Sequence, residues 1–290
     1  MKILVLQEYG QAGQLLLERL EQTSLQITPV MVSKVDDLSL DKVESWLPEG
    51  MDLLVNTVAL DDPQWAEGHP ESCRHRLVEL PRVLADFCKK HSMAMLQLSS
   101  CYIFDGRKHQ PYITSNPGHP LSMLGQCQWE TEQYLRANLS KHLILRTGWS
   151  LRRFVRLMTR AEERLLLSSR YQGQAVATMD QARVLTAILQ QLDCDSESWG
   201  TFQYAGGEEV TMYELGQAIL DILKLDAPPM LVDDAEPWSR LEPENAVMGC
   251  LKIRNTFGIK QLSWRHAVEQ EYDLLRREQV ERQRERTALN

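Results

Sequence analysis

At 290 residues, 43% hydrophobic and 25% charged, the chain has an ordinary globular composition and room for one large α/β domain or two medium ones. A net charge of −8 argues against a nucleic-acid footprint, which needs a basic surface. No apolar run approaches the ~20 residues of a membrane-spanning helix, and the opening run breaks at Gln7 and Glu8, too early for a secretory h-region.

In chain order, residues 3–6 form a short apolar run, followed by a glycine turn and then by Leu15, Leu16, Leu17 and Leu20. A buried strand, a tight turn and an amphipathic helix explain that pattern. A second apolar run, 27–32, follows this helix. Runs at 53–55, 95–98 and 143–145 follow helical stretches that begin after Asp41, end near His91 and begin near Leu121. Strands alternating with helices predict right-handed βαβ units and a doubly wound parallel sheet of the Rossmann type. Past residue 150 the spacing predicts helices over 154–167, 179–192 and 211–225, the last opened by Thr211 with Glu214 at capping-box distance. Pro228, Pro229 and Pro237 punctuate a loop-rich stretch before a polar helix over 266–286. The expected division is a Rossmann-like nucleotide-binding domain over 1–150 with a return segment 173–203, a smaller substrate-binding-type domain over 151–265, and a polar helical tail over 266–290.

The six cysteines, at 73, 88, 101, 127, 194 and 250, have no metal-ligand spacing, and the seven histidines form no metal-binding pair. Reduced core thiols in a cytoplasmic, metal-free protein are expected.

Gly10-Gln11-Ala12-Gly13 stands where a strand gives way to a helix, the place where a dinucleotide pyrophosphate meets a helix N-terminus. A full G-x-x-G-x-x-G would need glycine at Gln7, and Glu8 puts a negative charge beside the phosphate path. Lys34 after the second strand would suit a 2′-phosphate, whereas Asp36 and Asp37 would suit a free ribose. NADP and NAD both remain open, at weakened affinity. Gly10 and Gly13 would equally serve a tight turn and close helix–strand packing.

The stretch Leu98-Ser99-Ser100-Cys101-Tyr102-Ile103-Phe104-Asp105-Gly106, then Gln110-Pro111-Tyr112 and Pro120-Leu121-Ser122-Met123-Leu124-Gly125, resembles the dTDP-4-dehydrorhamnose reductase family of extended short-chain dehydrogenase/reductases. That family carries S-T-D-Y-V-F-D-G, a P-Y loop and N-P-L-x-x-Y-G-x-x-K. Val55-Asn56-Thr57-Val58-Ala59 resembles the segment beside the cofactor, and Leu145-Arg146-Thr147-Gly148-Trp149 resembles R-T-S-W. Residues 200–206 with Met212-Tyr213-Glu214, and residues 243–248 with Lys252, resemble further family motifs, so the matches span roughly 1–265. The resemblance implies cofactor contacts from Gly10, Gln11, Ala12, Gly13, Lys34, Asn56, Val58, Ala59 and Ser99.

The departures carry the functional expectation. Reductases of this kind use a tyrosine to protonate the carbonyl oxygen as hydride arrives, and a lysine four residues later to lower its pKa. Those positions hold Leu124 and Gln128, and no tyrosine in the chain is followed four residues later by lysine. Ser100 keeps the family's serine/threonine position as a vestige of the catalytic set. Glu242 falls where the family has an arginine near the nucleotide phosphates, with Arg240 as a nearby substitute, and Leu77 falls near the asparagine of the cofactor-side helix. The G-x-P-T loop appears as Gly173-Gln174-Ala175-Val176. The implied function is a nucleotide- or sugar-nucleotide-binding or regulatory protein, with a protein partner or homo-oligomer; a precedent in the family is the regulatory β subunit of methionine adenosyltransferase. The alternatives are an active NAD(P)-dependent sugar-nucleotide reductase with a rearranged site, and an oligomeric scaffold with an empty cleft.

Arg152, Arg153, Arg156 and Arg160 are expected on a solvated helix face, and Arg74, His75 and Arg76 in pairs with Glu71 and Glu79. Trp129 is expected to pack. Cys101 and Cys127 fall near the vacated site without a base or cation in sequence to activate them. The tail is expected to lie mostly in solvent, with Tyr272, Leu274, Leu275 and Val280 as its apolar contacts.

Overall fold

The computed structural model describes residues 1–8, 11–32, 47–48, 50–160, 167–194, 197–225 and 240–288. Five apolar runs become parallel strands: β1 (Lys2–Glu8), β2 (Gln26–Val32), β3 (Leu53–Asn56), β4 (Ala94–Ser100) and β5 (His142–Thr147). A further strand, β9 (Gly200–Tyr204), joins the edge beside β5, giving the order β2-β1-β3-β4-β5-β9, parallel throughout. Side chains alternate between the sheet's two faces. Ile3, Val5, Leu53, Val55, Leu143 and Leu145 enter one buried cluster, and Leu4, Leu6, Leu54, Met95 and Ile144 enter the other. A parallel sheet covered on both faces reads as continuous apolar runs, which is why these strands were visible in sequence.

Helix α1 (Gln11–Glu21) follows β1 directly. Between β3 and β4 lie α2 (Pro63–Gly68), α3 (Pro70–Arg74) and α4 (Leu80–Lys90), with a π-helical turn at His75–Glu79. Pro81 lacks an N–H, so the Leu77 carbonyl four residues back loses its helical donor. The Thr131 hydroxyl, on α5 (Met123–Asn138), donates to that carbonyl and ties the two segments together. The helical stretch expected after Asp41 lies outside the described residues.

Past β5 come the two-residue β6 (Trp149–Ser150), α6 (Leu151–Arg160), β7 (Gln172–Gly173), β8 (Ala175–Val176) and α7 (Thr178–Asp193). After β9 follow β10 (Val210–Thr211), α8 (Met212–Leu223), α9 (Leu251–Phe257) and α10 (Val268–Ala288). The Thr211 hydroxyl accepts from Glu214 N while Glu214 accepts from Thr211 N, which completes the expected capping box. Two small sheets, β7 with β10 and β6 with β8, lie outside the main one.

Most described residues of the tail are exposed, as expected, but one stripe of it is buried. Helix α10 packs on α6 and α8, burying Val268, Glu271, Leu274 and Leu275, while Val280 stays exposed. Spacings of three and four residues place those side chains on one stripe, which its high charge content hid.

Candidate functional site

The carboxyl ends of the parallel strands open onto a cleft of about 290 Å³, bounded by Gly13 and Leu16 of α1, Thr57 and Ala59 after β3, Ser99 and Ser100 of β4, Gln128 of α5, and Arg152, Arg156 and Thr178. Open α/β sheets bind ligands at this edge.

Near the end of β1, Gln7 stands where the full glycine motif would place its first glycine. Its side chain is buried against Gly13, where a Cβ would stand 2.7 Å from Gln7 Oε1. Gln7 Nε2 reaches Met31 Sδ at 2.9 Å, while Oε1 is buried without a donor among the described residues. Glu8 does not stand as a bare charge: Arg76 donates to both its oxygens, at 2.6 and 2.9 Å. Gln11 and Ala12 are the first two residues of α1; Gly10 and Lys34, with Asp36 and Asp37, lie outside the described residues.

The β4 end is held by α5. Ser100 Oγ donates to Gln128 Oε1 at 2.6 Å, and Ser99 Oγ donates to Glu132 Oε1 at 2.7 Å. Gln128 and Glu132, four residues apart on a helix, face the same way. Glu132 is fully buried and also accepts from Arg146 at 2.7 and 2.9 Å and from Arg136 at 2.7 Å. Leu124 lies one turn before Gln128, fully buried in the core. Gly125 lets α5 close onto the strand end: a Cβ there would stand 2.0 Å from the Tyr102 carbonyl oxygen.

Opposite lies a buried cluster. Arg153 Nη1 donates to the Tyr102 hydroxyl at 2.8 Å, and Arg153 Nη2 meets Glu242 Oε1 at 2.6 Å. Burial pushes the Glu242 carboxyl up, against the pull of Arg153, and also pushes the Tyr102 phenol well up. Glu242 therefore supplies the counter-ion of Arg153, while Arg240 is exposed. The expectation of a solvated arginine face is corrected here for Arg152, Arg153 and Arg156; the side chain of Arg160 lies outside the described residues. Arg153 is only 4% exposed, Arg156 pairs with Asp61 at 3.3 Å, and Arg152 pairs with Glu278 of α10. Carboxylates from remote elements pair with these cations, which local sequence does not reveal. The same holds for Arg74, paired with Glu130 at 3.1 Å instead of Glu71, and for Arg76 on Glu8; His75 does meet Glu79, at 3.3 Å.

Gly13, Ala59 and Ser99 border the cleft. Asn56 is buried, its amide donating to Gln97 at 2.8 Å and its carbonyl oxygen accepting from Val58 N at 3.1 Å, and Val58 packs in the core. Trp129 packs over Gly118 with the Arg136 guanidinium 5.2 Å from its ring. Cys101 is buried, which pushes its thiol up. The Cys127 thiol is lowered by a hydrogen bond with Cys73 and by Arg74, a cation that sequence spacing did not disclose. No helix among the described residues is long and apolar enough to cross a membrane, and no group of three metal-ligating side chains occurs among them.

Missed in sequence were Glu132, Thr178 and the α10 carboxylates Glu271 and Glu278. Glu132 had a usable signal, one helical turn beyond Gln128. The others are brought to the cleft by tertiary packing.

Residues 1–277 match the RmlD substrate binding domain. The chain belongs to this family. Among the family's reductases, that of Aggregatibacter actinomycetemcomitans, a dTDP-4-dehydrorhamnose reductase, is 27% identical over 80% of this chain and 83% of its own length. The β subunit of methionine adenosyltransferase 2 from Bos taurus is 25% identical over 72% of this chain and 66% of its own. The crystal structure of dTDP-4-dehydrorhamnose reductase from Bacillus anthracis in complex with NADP superposes with a TM-score of 0.77, at 18% identity, covering 94% of this chain and 99% of that one. The family assignment and the Rossmann-type fold make this a sugar-nucleotide-reductase-like protein.

Proposed function

We propose that the chain binds a nucleotide or sugar nucleotide in this cleft, has lost the family's reductase chemistry, and acts as a binding or regulatory protein. The observation that carries this reading is the Ser100–Gln128 hydrogen bond beside a fully buried Leu124. The serine hydroxyl is engaged by a neutral amide, and the position aligned with the proton-donating tyrosine holds a hydrocarbon. Loss of a general acid costs typically 10²–10⁴-fold in rate. The relatives include a methionine adenosyltransferase subunit as well as reductases, which leaves room for a regulatory member.

An NAD(P) cofactor fits the cleft along Gly13, Ala59 and Ser99, with Gln11 and Ala12 at the helix start. When bound it would supply a nicotinamide able to exchange hydride. Gln7 against Gly13 narrows the space between β1 and α1, which supports a weakened affinity. In this reading residues 1–150 and the return segment 173–203 hold the nucleotide, residues 151–265 form the second wall, and the protein works in the cytoplasm, alone or with a protein partner.

The test is titration with NADPH and NADH read by tryptophan fluorescence, followed by turnover of a dTDP-4-keto-6-deoxy sugar. Micromolar binding without turnover is expected. Turnover by the unaltered chain would sink the reading in favour of a rearranged reductase.

A further inference from the structure

Three arginines of α6 meet the cleft or its wall, and each is countered by a carboxylate from a different element: Arg153 by Glu242, Arg156 by Asp61, and Arg152 by Glu278 of α10. The first pair is sealed in the interior. The third is not: the side chains of Arg152 and Glu278 are 12% and 18% exposed. Arg152 is also incompletely used. Its Nη2 pairs with Glu278, while its Nη1 is buried without a hydrogen-bond acceptor and lies 4.0 Å from Glu271 Oε2. Glu271 is committed elsewhere, accepting from the backbone N–H and the hydroxyl of Thr178, the first residue of α7. Glu271 and Glu278 stand seven residues apart on one helix face, so α10 lays two carboxylates along the cationic rim.

A guanidinium presents a planar fork that matches two oxygens of one phosphate group, and here one arm is unspent. Arg156, one turn along on the same face, borders the same cleft and is partly exposed. A partly exposed carboxylate–arginine pair is weak enough to exchange for such a group. We propose that Arg152 is an anion subsite at the cleft rim, that its present occupant is the Glu278 carboxylate of the C-terminal helix, and that a phosphate group of the bound nucleotide displaces it. Glu278 then sets how tightly the cleft takes phosphorylated ligands, and α10 reports their arrival by loosening from the rim. The inference rests on the nucleotide-binding reading above for its ligand.

The experiment titrates the full chain with inorganic pyrophosphate, by calorimetry, in the unaltered protein, Glu278→Gln, Arg152→Gln and the double variant, with thermal unfolding recorded for each. Removing the competing carboxylate should tighten pyrophosphate about threefold to tenfold, and the gain should vanish in the double variant. An unchanged affinity in Glu278→Gln, or a gain that survives loss of Arg152, would overturn the proposal. Should Arg152→Gln fail to fold, Arg152→Lys keeps the charge without the fork and should keep less than half of the gain; keeping all of it counts against the proposal. In the unaltered chain, saturating pyrophosphate should speed amide exchange over residues 272–284, and unaltered exchange there is a second refuting result. NADPH titrated in parallel separates the two readings. No NADPH binding with a pyrophosphate gain in Glu278→Gln removes the nucleotide reading and leaves the subsite standing, and NADPH binding with no such gain does the reverse.

Discussion

The hydroxyl of Ser100 is spent on the side-chain carbonyl of Gln128, 2.6 Å away. Both residues are buried, so the bond belongs to the structural frame of the cleft as much as to its surface. Replacing Ser100 by Ala should leave Gln128 Oε1 without its donor and cost about 1–3 kcal/mol. Replacing Gln128 by Leu as well should recover part of that cost, with a coupling of about 0.5–3 kcal/mol. Urea denaturation of the four proteins in the cycle measures it; strictly additive losses would show that the bond contributes nothing.

Gly125 should tolerate no side chain. The methyl of alanine would meet the Tyr102 carbonyl oxygen, a backbone atom that cannot swing aside. Despite alanine's better helix propensity, Gly125→Ala should destabilise by about 1–3 kcal/mol as α5 is pushed from the strand end. Because the same shift carries Gln128 away from Ser100, NADPH affinity should fall with stability. Denaturant midpoints and fluorescence titration check the two effects.

Breaking the buried Arg153–Glu242 pair from one side should cost far more than removing it whole. Glu242→Gln leaves a guanidinium without its counter-ion, for an expected loss of about 3–5 kcal/mol. The double variant Arg153→Met, Glu242→Leu should lie within about 1–2 kcal/mol of the unaltered chain, because packing replaces a pair whose desolvation cost largely offset its attraction. Thermal and chemical unfolding measure both.

His142 gives the fold an acid-sensitive point. Burial lowers its imidazole pKa below 6.5, and its Nδ1 lies 2.6 Å from the Leu139 carbonyl oxygen. The unfolded chain therefore takes up this proton at higher pH than the folded one. The contribution is fully present above pH 6.5 and is lost as pH falls through the lowered folded value. Histidine-resolved NMR should place this ring's midpoint lower in the folded protein than in the urea-unfolded chain, and a higher midpoint would refute the sign.

The strands were legible because both faces of a parallel sheet are apolar, so β1 to β5 appear as unbroken runs. The helix that carries Leu124 and Gln128 was legible from its start near Leu121. Glu132 was missed because a carboxylate on a helix reads as a surface residue until Arg146, on a neighbouring strand, is seen beside it. The arginines of α6 misled for a related reason: their partners Glu242, Asp61 and Glu278 stand tens of residues or more away in sequence. Charge pairing across such separations leaves no periodic trace. The tail is mostly exposed as expected, and Leu274 and Leu275 make the apolar contacts, but the burial of Glu271 was hidden because an acid on a helix reads as a surface residue.

The bond from Glu271 to the start of α7 has a consequence for biosynthesis. Thr178 leaves the ribosome 93 residues ahead of the carboxylate that caps its helix. The parallel sheet up to β9 is already complete in sequence by then, so a nascent chain can assemble the cleft floor while its rim still lacks both α10 carboxylates. Chains build such long-range contacts last. For that interval Arg152 stands without its internal counter-ion.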